Sequence, residues 1–186
     1  GRKSHNLPGR SDGKGRLNAN GNNRILVIDD NADIHSDFRK ILTRTGGQSA
    51  ALDALEQQVL GETTPTRSEE TFDLTHAHQG EEGFALFRRA TDAGVPFFAA
   101  FVDMRMPPGW DGLRTIQEIR KIDSDAAIVI CTAFSDHSWE HIAKEVKSLD
   151  KLLILKKPFD PVEVQSLARS LRERYVLLKH AQLRTH

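Results

Sequence analysis

Apolar residues along this chain alternate between two rhythms: short continuous runs, and stretches where they recur every three or four positions. The runs lie at 24–29 (Arg24-Ile25-Leu26-Val27-Ile28-Asp29), Phe72 to Ala77, 97–102, 126–131 and 151–155. Continuous apolar runs of this length are how strands buried on both faces read. Between the runs the spacing predicts helices. Asn31 to Arg44 places Ile34, Phe38, Ile41 and Leu42 on one face, and Gly46-Gly47 ends it. A second helix, from about Glu81 to Ala93, carries Phe84, Leu86 and Phe87; a third opens at Asp111-Gly112 and bears Leu113, Ile116 and Ile119. A fourth spans roughly Ser138 to Lys147, and the last begins at Asp160-Pro161, with Asp as cap and Pro at the first helical position. Five β-α units in order predict right-handed crossovers and an α/β fold, a parallel sheet covered by helices on both faces.

Three stretches depart from this rhythm. Residues 1–23 are rich in Gly, Asn, Ser, Lys and Arg, with Leu7 and Leu17 the only large apolar residues. Such a segment buries too little surface to offset its ordering entropy, so it is read as a disordered tail. About 48–71 is too long for an ordinary connection and is read as an insertion within a folded domain of 24–175. Residues 176–186 extend the last helix, in which Val164, Ala168, Leu171, Tyr175 and Leu178 recur at 4-3-4-3 spacing, the period of a coiled-coil seam. Either the first part of that helix packs on the sheet and the rest frays, or the helix leads to a dimer contact or an effector.

Composition narrows the function classes. A chain of 186 residues fits one domain with additions. Lys+Arg and Asp+Glu are both 26, so the basic excess of a phosphate-binding surface is missing and direct nucleic-acid binding is not expected. The single cysteine, Cys131, lies in an apolar run and reads as a small core residue, which suits a reducing compartment. No apolar run approaches the ~20 residues of a membrane helix, and the N-terminus lacks the apolar core of a secretory signal. A cytoplasmic protein is expected. The chain opens at Gly1 rather than Met, as a fragment or a processed chain does.

The candidate chemistry sits at the strand ends. The first run enters Asp29-Asp30, the third enters Asp103, and the fifth enters Lys156-Lys157-Pro158. In open α/β sheets ligands bind at the carboxyl ends of the strands. Three carboxylates meeting there repel unless a cation joins them. Lys157 supplies one positive charge and a Mg²⁺ ion would supply two. Mg²⁺ takes oxygen ligands, is commonly held by one or two carboxylates and completes its shell with water and phosphate oxygens. An aspartate in such a site can attack a phosphoryl group to give an acyl phosphate. Thr132 at the end of the fourth strand offers a neutral hydroxyl.

These residues resemble the receiver domain of two-component response regulators. The likeness covers about Arg24 to Tyr175 and rests on five elements in order: Asp29-Asp30, Asp103 with Met106-Pro107, Asp111-Gly112, Thr132-Ala133, and Lys157-Pro158-Phe159. The resemblance implies a doubly wound five-stranded sheet of order 2-1-3-4-5. It also implies that Asp103 takes a phosphoryl group from a sensor histidine kinase or phosphotransfer protein. Asp30 and Asp103 would bind Mg²⁺ directly, Asp29 through water, with the backbone carbonyl of Arg105 as a further ligand. Lys157 and Thr132 would pair with the phosphate, and the new charge would bias a two-state surface that controls an effector or a homodimer contact through the last helix. Such a domain is a phosphoacceptor rather than an enzyme with its own substrate.

Departures from the family pattern are expected to matter. The loop from Asp103 to Asp111 is one residue longer, with Pro107-Pro108-Gly109-Trp110 at its centre, and the stretch from Thr132 to Lys157 is also longer. Ile154 stands where the family often has an aromatic residue, so an aromatic rotamer switch is not expected there, and Phe134 or Trp139 are the candidate substitutes. Two other readings stay open: a degenerate receiver used for docking or dimerisation, and an aspartate-nucleophile phosphohydrolase of the haloacid dehalogenase type. The second needs an acid two residues after the nucleophile, where this chain has Arg105. His76 and His78 fall on one face by strand alternation, but with no third ligand nearby a surface or packing role is expected. Lys156 reads as a solvated neighbour of Lys157, and Trp110 as a packing residue, a residue that shapes phosphate access or a partner contact.

Overall fold

The computed structural model describes residues 22–43, 71–133, 144 and 152–185. Five strands, β1 (Arg24–Ile28), β2 (Asp73–Ala77), β3 (Ala99–Asp103), β4 (Ala127–Thr132) and β5 (Leu152–Lys156), form one sheet of order β2-β1-β3-β4-β5. Every pairing is parallel. Four helices are described: α1 (Ala32–Leu42), α2 (Gly80–Asp92), α3 (Gly112–Ile122) and α4 (Pro161–Arg184). This is the doubly wound α/β architecture expected. The tail up to residue 21, the insertion up to residue 70, and Phe134, Trp139 and the helix near 138–147 (save Lys144) lie outside the described residues. Among the described residues no helix is long and apolar enough to cross a membrane.

Strand alternation divides the interior into two cores. Leu26, Ile28, Ala100, Val102, Ile128 and Ile130 face α2 and α3, where Phe87, Ile116 and Ile119 meet them. The alternate residues Ile25, Val27, Phe101, Val129 and Cys131 face α1 and α4, against Phe38, Leu42, Val164, Ala168 and Leu171. Both faces of β3 are buried along its whole length, which explains its unbroken apolar run.

The apolar runs and the ladders are offset. β3, β4 and β5 each end one residue later than the apolar run does, so Asp103 pairs with Cys131 and Thr132 with Lys156. Ladder bonds are made by the backbone, and a polar side chain at the last position does not break them. The front of several runs (Phe72, Phe97, Phe98, Ala126) is buried but precedes the ladder. Three of the four described helices start at side-chain caps: Asn31 accepts from Asp33 N–H, Asp111 from Arg114 N–H and Asp160 from Val162 N–H, whereas Gln79 before α2 makes no such bond. α2 stops at Gly94, whose φ of +74° suits a residue without Cβ.

In α4 the spaced residues are largely taken by the protein's own sheet. Val164, Ala168 and Leu171 are buried, and Tyr175 packs beside Phe98 at 6.5 Å between ring centroids. Leu178 is already 46% exposed, and Leu177 and Leu183 are 70% and 78% exposed. The first part of the helix therefore packs as a sheet-covering helix, and its apolar surface beyond Tyr175 faces solvent.

Gly112 fixes the join between β3 and α3. Its N–H donates to the Met104 carbonyl at 2.9 Å, and a Cβ there would lie 2.9 Å from Met104 Cα and closer still to the Asp103 carbonyl. These neighbours are backbone and cannot rotate away. Gly112→Ala is expected to lower unfolding stability by about 1–3 kcal/mol, read from the urea midpoint. An unchanged midpoint would mean that the join relaxes without strain.

Candidate metal and phosphoryl site

Parallel strands place all their carboxyl ends on one edge, and β1 and β3 are neighbours there. Asp29 directly follows β1; it is buried, and its N–H continues the ladder by donating to the Ala77 carbonyl at 3.1 Å. Asp30, next in the chain, is exposed, and Asp103 is the buried last residue of β3. One carboxylate oxygen from each of Asp29, Asp30 and Asp103 lies within 4.8 Å of the others. Lys157 reaches across the edge: its Nζ donates to Asp29 Oδ2 at 2.8 Å and to Asp103 Oδ1 at 3.1 Å. The lysine is set by its backbone, since its N–H donates to the Thr132 carbonyl at 2.8 Å. Thr132 is buried at the end of β4, while Lys156 and Arg105 are exposed.

The charges are unequal. Burial, then the neighbouring Asp29 carboxylate, pushes the Asp103 carboxyl up from 3.8 to about 6, and Lys157 only partly offsets this. Burial alone would lower the Lys157 ammonium, but hydrogen bonds and charge from Asp29 and Asp103 outweigh it and hold it above its usual value. Burial pushes the Cys131 thiol far up, so it is inert packing. Three carboxylates against one ammonium leave two negative charges uncompensated. A divalent ion that prefers oxygen ligands fits that donor set.

The lengthened loop after β3 docks sideways. Trp110 N–H donates to Glu81 Oε1 at 3.1 Å, and its ring packs beside Phe84 with centroids 5.6 Å apart. The Arg114 guanidinium sits 4.8 Å from the Trp110 ring centroid. Trp110 is therefore engaged in packing on α2 and α3.

His35 joins this edge without a motif to mark it. It sits on the inner face of α1, three residues before Phe38, which was the one available signal. The fold brings its buried ring to 4.8 Å from the His76 centroid and 4.5 Å from that of His78. His76 and His78 face the same way, as alternation requires, and both rings pack against His35 of α1. Burial, then the neighbouring His35, lowers His76 to about 4, and burial also lowers His35.

Comparison with known proteins agrees with this geometry. Residues 57–169 match the family model of the response regulator receiver domain. The chain belongs to that family. Receiver domains are the regulatory phosphoacceptors of two-component systems; they generally bind Mg²⁺ at an acidic pocket and interact with histidine kinases or phosphotransfer proteins. A response regulator receiver protein of Anaeromyxobacter is 29% identical over 135 residues, 73% of this chain and 42% of that protein. The chain thus spans less than half the length of this curated relative. A receiver domain from Clostridium thermocellum is similar in fold, with a TM-score of 0.58 and 20% identity, covering 83% of this chain and 98% of that one. So is the receiver domain of NtrX from Brucella abortus, with a TM-score of 0.53 and 19% identity over 80% of this chain and 98% of that one. The family match begins after β1, so it is the sheet that brings the acidic pair of this receiver domain beside Asp103.

The raised Asp103 value makes a stability prediction for the metal-free receiver domain. The folded state holds the proton more tightly than the unfolded chain, so this group's contribution to stability falls as pH rises from 3.8 to about 6. Asp103→Asn removes the buried charge. In EDTA it is expected to stabilise the protein by about 1–2 kcal/mol near pH 8, with the gain shrinking toward zero at about pH 4. Melting temperatures of the two proteins across that range give the test. A lower melting temperature for the variant near pH 8 would mean that pairing with Lys157 outweighs burial.

Proposed function

We propose that this receiver domain takes a phosphoryl group onto Asp103 from the phosphohistidine of a sensor histidine kinase or phosphotransfer protein, in a Mg²⁺-dependent reaction. The observation that carries this reading is one ammonium, Lys157, bonded to both Asp29 and Asp103 beside a third carboxylate at the carboxyl edge of the sheet. An Asp103 carboxylate oxygen attacks phosphorus in line and forms the acyl phosphate bond. The P–N bond of the donor breaks, and the imidazole leaves with the electron pair and is protonated from solvent. A Mg²⁺ ion held by Asp30 and Asp103, by Asp29 through water and by the Arg105 carbonyl would stabilise charge on the transferring oxygens. Lys157, already 3.1 Å from Asp103, pairs with a phosphate oxygen in the product, and the Thr132 hydroxyl donates to another.

The output follows from the added charge. With Ile154 in place of an aromatic ring, no aromatic side chain turns at that position, and the new charge at Thr132 acts on the paired ends of β4 and β5. The apolar surface of α4 beyond Tyr175, with Leu177 and Leu183 exposed, is the contact offered to a second copy or an effector. Arg105 stands where a haloacid dehalogenase places its general acid, which speaks against turnover of phosphate esters.

Acetyl phosphate with Mg²⁺ is expected to add the mass of one phosphoryl group to the intact protein. Asp103→Asn and EDTA should each abolish the addition, and Lys157→Ala should slow it by about tenfold or more. Folded wild-type protein that gains no mass would instead be a docking module that works without phosphorylation.

A further inference from the structure

The three histidines beside the acidic cluster carry an order of their own. Arg39 Nε donates to His76 Nε2 at 3.3 Å, the Nδ1 atoms of His76 and His35 lie 2.7 Å apart, and His35 Nε2 lies 2.7 Å from the Asp29 carbonyl oxygen. The two ends of this chain fix every proton in it. A carbonyl only accepts, so His35 Nε2 carries hydrogen; Arg39 Nε only donates, so His76 Nε2 is a lone pair. Two ring nitrogens at 2.7 Å need one hydrogen between them, so His76 donates from Nδ1 to the Nδ1 lone pair of His35. The tautomers assigned from these partners agree with one another along the whole chain. His78 lies edge-on to His35 from the same side of the sheet.

The far end of that chain is a peptide at the centre of the site. β2 ends at Ala77, which accepts from Asp29 N–H; beyond that point the His35 ring is what meets the Asp29 carbonyl. That carbonyl belongs to the peptide joining Asp29 to Asp30. Its plane sets ψ of the first aspartate and φ of the second, and hence the direction in which each carboxylate leaves the backbone. We propose that His35, backed by His76 and Arg39, is a positioning residue that holds the Asp29–Asp30 peptide in one orientation and so pre-forms the Mg²⁺ site. The inference rests on the metal reading given above. It makes His35 the outer support of a metal site, holding a ligand-bearing backbone rather than touching the ion.

Two measurements on the whole chain test it. Nitrogen-detected NMR of the imidazoles, made without metal, is expected to show His35 as the Nε2–H tautomer and His76 as the Nδ1–H tautomer; the reverse pair overturns the relay. Calorimetric Mg²⁺ titration then compares wild type with His35→Leu, His35→Gln and His76→Phe. His35→Leu is expected to weaken Mg²⁺ binding about tenfold. His35→Gln, which keeps a side-chain N–H donor, should recover most of that loss, and His76→Phe should fall between. The Mg²⁺ concentration for half-maximal Asp103 phosphorylation should rise in parallel, with a far smaller change in rate at saturation. If His35→Leu does not fold, His76→Phe alone decides, because His76 is only half-buried. Wild-type Mg²⁺ affinity in folded His35→Leu and His76→Phe overturns the positioning role and leaves the metal reading intact. A folded wild-type protein that binds no Mg²⁺ overturns the metal reading and the positioning role with it.

Discussion

Charge repulsion at the carboxyl edge of the sheet is the constraint around which the rest is arranged. Two of the three carboxylates are buried, and in that setting the last to ionise is held back toward neutrality. Lys157 relieves part of this by bonding to Asp29 and Asp103 together. The lysine can do so only because β5 pairs with β4 in a register that hands its amide to the Thr132 carbonyl. Sheet register, lysine position and carboxylate ionisation are thus one coupled arrangement, and what remains is a deficit of positive charge among three carboxylates.

The two cores serve that edge differently. The α2 and α3 side anchors the loop after β3, where Trp110 is held by Glu81, Phe84 and Arg114. The α1 and α4 side contains Phe38, which packs on both Phe101 and Phe159 at 5.0 Å between centroids. Through Phe38 the helix that carries His35 is tied to the strand that ends in Asp103 and to the segment that follows Lys157. Packing and polar positioning therefore act through the same helix.

Most of the architecture was legible in the sequence because buried parallel strands leave continuous apolar runs and capped helices leave Asn, Asp and Pro at their starts. Strand ends were less so. Asp103 and Thr132 read as residues just beyond their strands, yet each holds a ladder position, because backbone pairing is indifferent to the polarity of the last side chain. The acidic cluster could be proposed from order alone, since parallel topology dictates that strand ends meet. His35 could not be joined to His76 in the same way, because the contact depends on how far α1 is rotated about its axis. The 4-3-4-3 spacing in α4 was ambiguous for a related reason: a helix packed on a sheet and one packed on another helix both repeat at three and four.

The Lys157–Asp29 bond joins positions 128 residues apart, and the Lys157–Asp103 bond joins positions 54 apart. Loop-closure entropy grows only slowly with such separations, by about 0.6 kcal/mol per doubling, so the long stretch between α1 and β2 is cheap once the sheet exists. Kinetically it is not: contacts this distant in sequence slow folding, because loop-closure entropy is lost before they form. No segment shorter than Asp29 to Lys157 contains the whole acidic site with its lysine.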